Sequence, residues 1–168
     1  MTTHSLKFRP LKTHDWPDVW SILQPAFAAG DSYPCPIDMA ELEAKDYWCA
    51  PHHLVFVADS ADLGILGTYY LRTDQGGLGD HICNCGYVVA ETARRRGVGR
   101  AMCRHSQGIA RQHGYSGMRF NLVVETNSAG INAWVAEGFE IVGTVPNAFR
   151  HKADGLVGAH IMYKSLTE

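Results

Sequence analysis

Apolar and polar positions recur along this chain with two periods, one near about 2 and one near about 3.6 residues. Leu6-Lys7-Phe8-Arg9 alternates and stops at Pro10, which predicts a short first strand. Over residues 14–27, Trp16, Val19, Trp20, Leu23 and Phe27 fall on one stripe of a helix, and Trp16, Trp20 and Phe27 are read as core. Pro17 suits the first turn of that helix, and Pro25 is expected to end or kink it. Residues 30–36 are rich in breakers and predict a loop. Asp38, followed at the capping-box distance by Glu41, predicts the start of a second helix that runs to about Trp48. Residues 53–58 and 63–71 predict a hairpin about the polar stretch 59–62; residues 75–79 form a glycine-rich turn, and 82–89 a further strand.

Beyond this strand the texture changes. Residues 93–99 are an arginine and glycine segment, after which Val98, Met102, His105 and Ile109 mark a helix that ends at Gly114. Residues 119–124 predict a strand, 128–137 a short helix closed by Gly138, and 139–145 and 157–166 the last two strands. No repeat or linker interrupts this order, so residues 1–168 are read as one domain. The predicted class is α/β, with a mixed, mostly antiparallel twisted sheet of about six to seven strands flanked by about four helices. A doubly wound sheet would need more strand–helix–strand crossovers than this chain offers.

Composition narrows the classes. With 46% hydrophobic and 19% charged residues in 168, the chain can build a core and is not a disordered one. No apolar run reaches the roughly 18 residues of a membrane span, and Met1 to Phe8 carries no apolar leader core. Five cysteines without disulfide spacing read as reduced thiols, so a cytoplasmic protein is expected. Cys83-x-Cys85 lacks the second pair that a zinc site needs, and no metal is expected. The net charge of −2 hides an asymmetry. Residues 92–124 hold seven arginines and no acidic residue, while the other eight basic residues share the rest with all 17 acidic ones. So concentrated a patch suits one anionic ligand better than a nucleic-acid surface, which would spread its basic residues along a face.

The patch sits where a strand feeds a helix. Tyr87-Val88-Val89 leads into Arg94-Arg95-Arg96-Gly97-Val98-Gly99-Arg100. A helix N-terminus offers unpaired N–H groups and partial positive charge, and glycines let a phosphate approach the backbone closely. Arginines add charge-assisted hydrogen bonds, so the segment is read as a diphosphate site. It matches neither a P-loop nor a dinucleotide fingerprint.

In these residues the chain resembles the GCN5-related N-acetyltransferase (GNAT) superfamily, whose signature is Arg/Gln-x-x-Gly-x-Gly/Ala after a strand. A second likeness is Asn127 followed by Trp134-Val135-Ala136-Glu137-Gly138-Phe139; together the two cover about residues 80–145. The resemblance implies a GNAT-like fold and acetyl-CoA as co-substrate. It implies that the backbone of Tyr87, Val88 and Val89 pairs with the pantetheine arm. Arg94, Arg95, Arg96, Gly97, Val98, Gly99, Arg100 and Ala101 would then hold the diphosphate, with Asn127 and Trp134 on the pantetheine. Gly130 replaces the usual alanine. Trp134 replaces the tyrosine that many members use to protonate the leaving thiolate, and an indole N–H cannot serve as an acid. The segment around Asn84, Asn121 and Asn127 is similar to a Trp-bearing branch that acetylates proline analogues.

The acceptor side is read from the strands about the acyl group. Asn84 shares a face with Val88, and Asn121, Val123, Glu125 and Asn127 share one if their strand stays extended. Asparagine is depleted in strands, so Asn84 and Asn121 are candidates to orient substrate, with Glu125 as general base. His81 and His105 are weaker candidates for a proton relay, and His105 is better read as packed. Tyr33 and Phe149 are candidate aromatic walls for the acceptor. The predicted activity is direct acetyl transfer to the amine of a small molecule, such as an amino acid or an analogue. The alternatives are a catalytically weak acyl-CoA sensor and a protein N-terminal or lysine acetyltransferase. Nucleic acid and membrane are not expected partners. A homodimer is expected, joined through the terminal strands that carry Ile161-Met162-Tyr163.

Overall fold

A computed structural model describes residues 6–167; the first five residues, part of the stretch searched for a leader, lie outside the described residues. Eleven main elements follow one another. They are β1 (Leu6–Pro10), α1 (Trp16–Ala29), α2 (Glu41–Trp48), β2 (Leu54–Ser60), β3 (Gly64–Thr73), β4 (Ile82–Val89), α3 (Val98–Gln112), β5 (Gly117–Val124), α4 (Ser128–Ala136), β6 (Glu140–His151) and β7 (Gly155–Ser165). The strands form a single seven-stranded sheet in the order β1-β2-β3-β4-β5-β7-β6. Every neighbouring pair is antiparallel except β4 and β5. That one parallel step is the crossover through α3.

The alternation of β3 and β4 feeds two separate cores. Tyr69, Leu71, Cys83 and Cys85 point to the face covered by α3, where they meet Met102, Cys103, Phe120 and Phe139. Val57, Tyr70 and Val88 point to the other face, under Trp16, Leu23 and Phe27 of α1 and Trp48 of α2. Burial of these aromatic side chains dominates the stabilisation, at about 25 cal/mol per Å² of apolar surface. The sheet thus lies between two helical layers.

Four expectations about elements need correction. Helix α1 continues through Pro25 to Ala29 and ends on Gly30, whose φ of 63° is the left-handed conformation of a helix terminus. Helix α2 starts at Glu41 and not at Asp38, because Glu43 closes the first turn by accepting from the Ala40 N–H at 3.2 Å. Strand β6 runs on past Val145 to His151; a register shift between Val145 and Phe149, with Asn147 at φ 53°, absorbs Pro146. Finally, β7 is an inner strand between β5 and β6, and Met162 is fully buried. Ile161-Met162-Tyr163 therefore does not form a free sheet edge; β6 does.

Candidate active site

The parallel pairing of β4 with β5 covers only Ile82↔Gly117 and Cys83↔Met118. Beyond it the strands diverge, and the opening is the centre of the site. Asn84 stands at the divergence, buried, its Nδ2 donating across the gap to the Arg119 carbonyl at 2.8 Å. Its Oδ1 has no partner among the described residues. Asn121 donates from Nδ2 to Asp74 Oδ1 at 2.6 Å, and the buried Asp74 also pairs with the Arg119 guanidinium. The two asparagine donors therefore hold the fork, and the Asn84 carbonyl faces the cavity as an acceptor.

Backbone groups complete the opening. Asp74 N–H donates to the Ile82 carbonyl, and Ala90 N–H to that of Leu66. Even-numbered residues of β4 thus turn their amides to β3, and by alternation Cys85, Tyr87 and Val89 turn theirs into the gap. The Val88 amide therefore faces β3, so of the three residues whose backbone the resemblance sets on the pantetheine arm only Tyr87 and Val89 offer theirs to the gap. The Tyr33 hydroxyl donates to the Tyr87 carbonyl at 2.9 Å, and burial pushes the Tyr33 phenol well above its ordinary pKa, so it remains a donor.

Two cavities open on either side of this point. The larger, about 930 Å³, is lined by Tyr87, Val88, Val89, Arg94, Arg95, Gly97, Val98, Gly99 and Arg100, and by Asn127 to Gly130 of the α4 start. Gly97 caps α3 in the left-handed conformation, φ 78°, and no side chain caps that helix. Ala101 N–H makes the first helical bond, to the Gly97 carbonyl at 3.0 Å. The N–H groups of Val98, Gly99 and Arg100 are the helix's orphan donors, and they open on the cavity beside Arg94 and Arg95. A Cβ built at Gly99 would lie 3.5 Å from Val89, so only open space and the cavity explain that glycine. Arg100 is positioned from behind: its Nε, with that of Arg104, donates at 2.7 Å to the buried Glu137 carboxylate, which the arginines hold below its usual pKa despite burial. Arg96 and Ala101 lie outside the lining.

The smaller cavity, about 280 Å³, lies on the α1 and α2 side, lined by Tyr33, Tyr47, Tyr70, Arg72, Asn84, Gly86, Asn121 and Leu122 among others. Ser32, Tyr33, Tyr87, Asn127 and Trp134 line both cavities and so mark their junction. Trp134 packs 4.9 Å from the Tyr87 ring and 5.4 Å from Phe120. Asn127 caps α4 by accepting from Gly130 N–H at 3.0 Å. The glycine at position 130 is explained here, because a Cβ would lie 2.7 Å from the Asn127 Nδ2.

Two predicted residues are not brought to the site. Glu125 lies past the end of β5 in a turn, exposed, and its Oε1 accepts from the Gly158 N–H at 2.7 Å. The predicted common face fails because the register of β5 shifts between Phe120 and Val123. Phe149 is buried with Val124 and Val157 in a small cluster of its own. Neither residue lines either cavity. His105 packs on the α3 face, its Nδ1 2.6 Å from the Tyr69 hydroxyl, and is no relay for this site. His81 is exposed. Sequence reasoning missed Tyr47, Tyr70, Arg72 and Gly86. The signal for Arg72 was its register: a β3–β4 hairpin sets it directly opposite Asn84.

Comparison with known proteins adds the context. Residues 16–139 match the acetyltransferase (GNAT) family. The chain is 30% identical over 148 residues to N-acetyltransferase aca1 of Schizosaccharomyces pombe, covering 79% of this chain and 71% of that protein. Among solved structures it is similar to a GCN5-related N-acetyltransferase from Kribbella flavida. There the TM-score is 0.90 and the identity 34%, over 95% of this chain and 97% of the other. A phosphinothricin acetyltransferase from Sinorhizobium meliloti, solved with acetyl-CoA, shares the fold with a TM-score of 0.85 at 17% identity, over 97% of this chain and 89% of that one.

Proposed function

Because this chain belongs to the GNAT family of acetyltransferases, we propose that it transfers acetyl from acetyl-CoA directly to the amine of a small molecule, such as an amino acid. The observation that carries the reading is the pair of cavities that meet at Tyr33, Tyr87 and Trp134. One ends in an arginine-flanked, uncapped helix N-terminus, which fits a diphosphate. The other is small, bounded by Tyr33 and walled by aromatic rings with Arg72, Asn84 and Asn121 among them, which suits a small acceptor better than a protein chain.

In this reading Val98, Gly99 and Arg100 N–H groups and the Arg94, Arg95 and Arg100 side chains hold the diphosphate. The pantetheine arm lies along β4, whose odd-numbered amides face it. Tyr87 and Val89 N–H groups are the available donors for the charge that builds on the thioester oxygen. Asn84 Oδ1 accepts from the acceptor amine and aims it. Among the described residues no carboxylate or histidine side chain lines the smaller cavity. The acceptor therefore reacts as the neutral amine, and its proton leaves through water or a tyrosine hydroxyl. Trp134 gives no proton, and the thiolate leaves unaided, its reference pKa of about 8.5 making that tolerable. The exposed Ile141, Val142 and Val145 on the edge strand β6 support a homodimer through that strand, which sedimentation would detect.

The experiment is CoA release measured with a thiol reagent across amino acids, proline analogues, polyamines, aminoglycosides and short peptides. Turnover confined to small amino acids or their analogues is the expected result. Turnover on peptides alone would transfer the reading to a protein acetyltransferase, and binding of acetyl-CoA without turnover on any amine would make the chain a sensor.

A further inference from the structure

We propose that Arg72 recognises an oxyanion on the acceptor, so that the acceptor is a short amine that also carries a carboxylate or a phosphonate. The inference rests on the acetyl-transfer reading of the smaller cavity and names the chemical class that fits it.

Among the described residues Arg72 is the single charged one in the lining of that cavity. It is half-buried in β3 and lies opposite Asn84 in the β3–β4 register. Four other arginines, Arg9, Arg100, Arg104 and Arg119, each meet a carboxylate. Arg72 meets none among the described residues; beside it stands the Tyr70 phenol, which burial holds neutral, and the Tyr47 ring lies edge-on to that of Tyr70 at 6.3 Å. The surroundings are aromatic: His53 stacks on Tyr70 at 4.4 Å and Trp48 abuts it at 4.9 Å.

A half-buried guanidinium without a counter-ion is costly, and its planar fork of donors is left largely unused. A ligand oxyanion would occupy that fork with paired, charge-assisted hydrogen bonds. The same cation repels an ammonium. It thereby excludes polycationic acceptors and favours the neutral amine that attack requires. Because Arg72 and Asn84 are register partners, the anion and the amine are read by adjacent side chains. That suits a short molecule in which the two groups are separated by one or two carbons.

The test compares three acceptors with saturating acetyl-CoA: a short amino acid, its neutral amide and the corresponding aminophosphonate, with KM expressed on the neutral amine. In the wild type, the acid or the phosphonate should have a KM at least about tenfold below that of the amide. The lower of the two identifies the oxyanion. Arg72→Gln should raise the KM of the anionic acceptor about ten- to hundredfold, the loss expected for a charge-assisted pair, and leave that of the amide within about twofold. Arg72→Lys should restore part of the preference. Affinity for acetyl-CoA should stay within about twofold throughout. Equal use of the amide and of both anionic acceptors by the wild type would overturn the proposal, and that comparison stands even if neither variant folds. So would an Arg72→Gln loss that is the same for both acceptors.

A second measurement needs no turnover. A short 2-hydroxy acid and the corresponding 2-hydroxyphosphonate, neither of which has an amine to acetylate, are titrated in turn onto the enzyme–CoA complex by ligand-observed NMR. Binding to wild type and not to Arg72→Gln supports the oxyanion site even where no amine is acetylated. Failure of both probes to bind the wild type overturns it whichever amines turn over.

Discussion

Gly86 gives the sharpest structural lever on the acceptor side, because one methyl group there touches two walls at once. A Cβ at position 86 would lie 2.7 Å from Tyr70 Cε1, 2.9 Å from Tyr70 Cζ and 3.0 Å from the Tyr33 hydroxyl. Tyr70 is only 6% exposed and packs edge-on against the fully buried Trp48, so the room it can move into is that of the acceptor cavity. Tyr33 can yield, but only by giving up its 2.9 Å bond to the Tyr87 carbonyl. Overpacking of this kind costs about 1–3 kcal/mol, and the lost hydrogen bond about 1 kcal/mol more. For a chain of this size each kcal/mol lowers Tm by about 2–4 °C, so Gly86→Ala should melt roughly 4–16 °C lower. The displaced rings narrow the acceptor cavity, so acceptor KM should rise several-fold while acetyl-CoA affinity, set largely at the Arg94–Gly99 end, changes little. Calorimetric unfolding and initial rates with both substrates varied would measure this. A variant with wild-type Tm and acceptor KM would refute the reasoning that Gly86 makes room for the two tyrosines.

Two further substitutions probe other parts of the account. Trp134→Phe should keep kcat within about threefold, since the indole supplies no proton; a fall of more than about tenfold at unchanged acetyl-CoA affinity would give its N–H a part in the chemistry. Arg9 Nη1 and Nη2 donate to Asp15 at 2.7 and 2.9 Å and hold its carboxyl down to about 2, from 3.8. A depressed folded pKa stabilises above the ordinary carboxylate value and is lost as pH falls from about 4 through about 2. Asp15→Asn should therefore cost about 2 kcal/mol at pH 7 and about half that at pH 3, read from urea midpoints; a gap that did not shrink with acid would contradict the ion pair.

The cofactor side was legible in the sequence because it is local. Strand β4, the arginine segment and the start of α3 follow one another, and the uncapped, glycine-marked helix start needs no distant partner. The acceptor side was legible only in part. Asn84 could be found because asparagine is out of place in a strand. Arg72 follows only once the β3–β4 register is fixed, and Tyr47 and Tyr70 could not be found, since they reach the cavity through the packing of α2 on the sheet. Glu125 misled because strict alternation was extended through a bulge at the end of β5. Phe149 misled because an aromatic in a polar stretch of β6 found a small core of its own beside Val124. Pro25 is a reminder that tertiary packing of an apolar stripe, here Val19, Leu23 and Phe27, can carry a helix through an unfavourable residue.

The most direct test of the central claim is calorimetric titration of acetyl-CoA into the wild type and into Gly99→Asp. Position 99 has room for a side chain, and an acid in the first turn of α3 favours the helix, so the fold should hold at an unchanged Tm. The account predicts one acetyl-CoA bound per wild-type chain and at least about a hundredfold weaker binding to the variant, because the new carboxylate opposes the diphosphate. No binding to the wild type, or equal binding to both proteins, would contradict it.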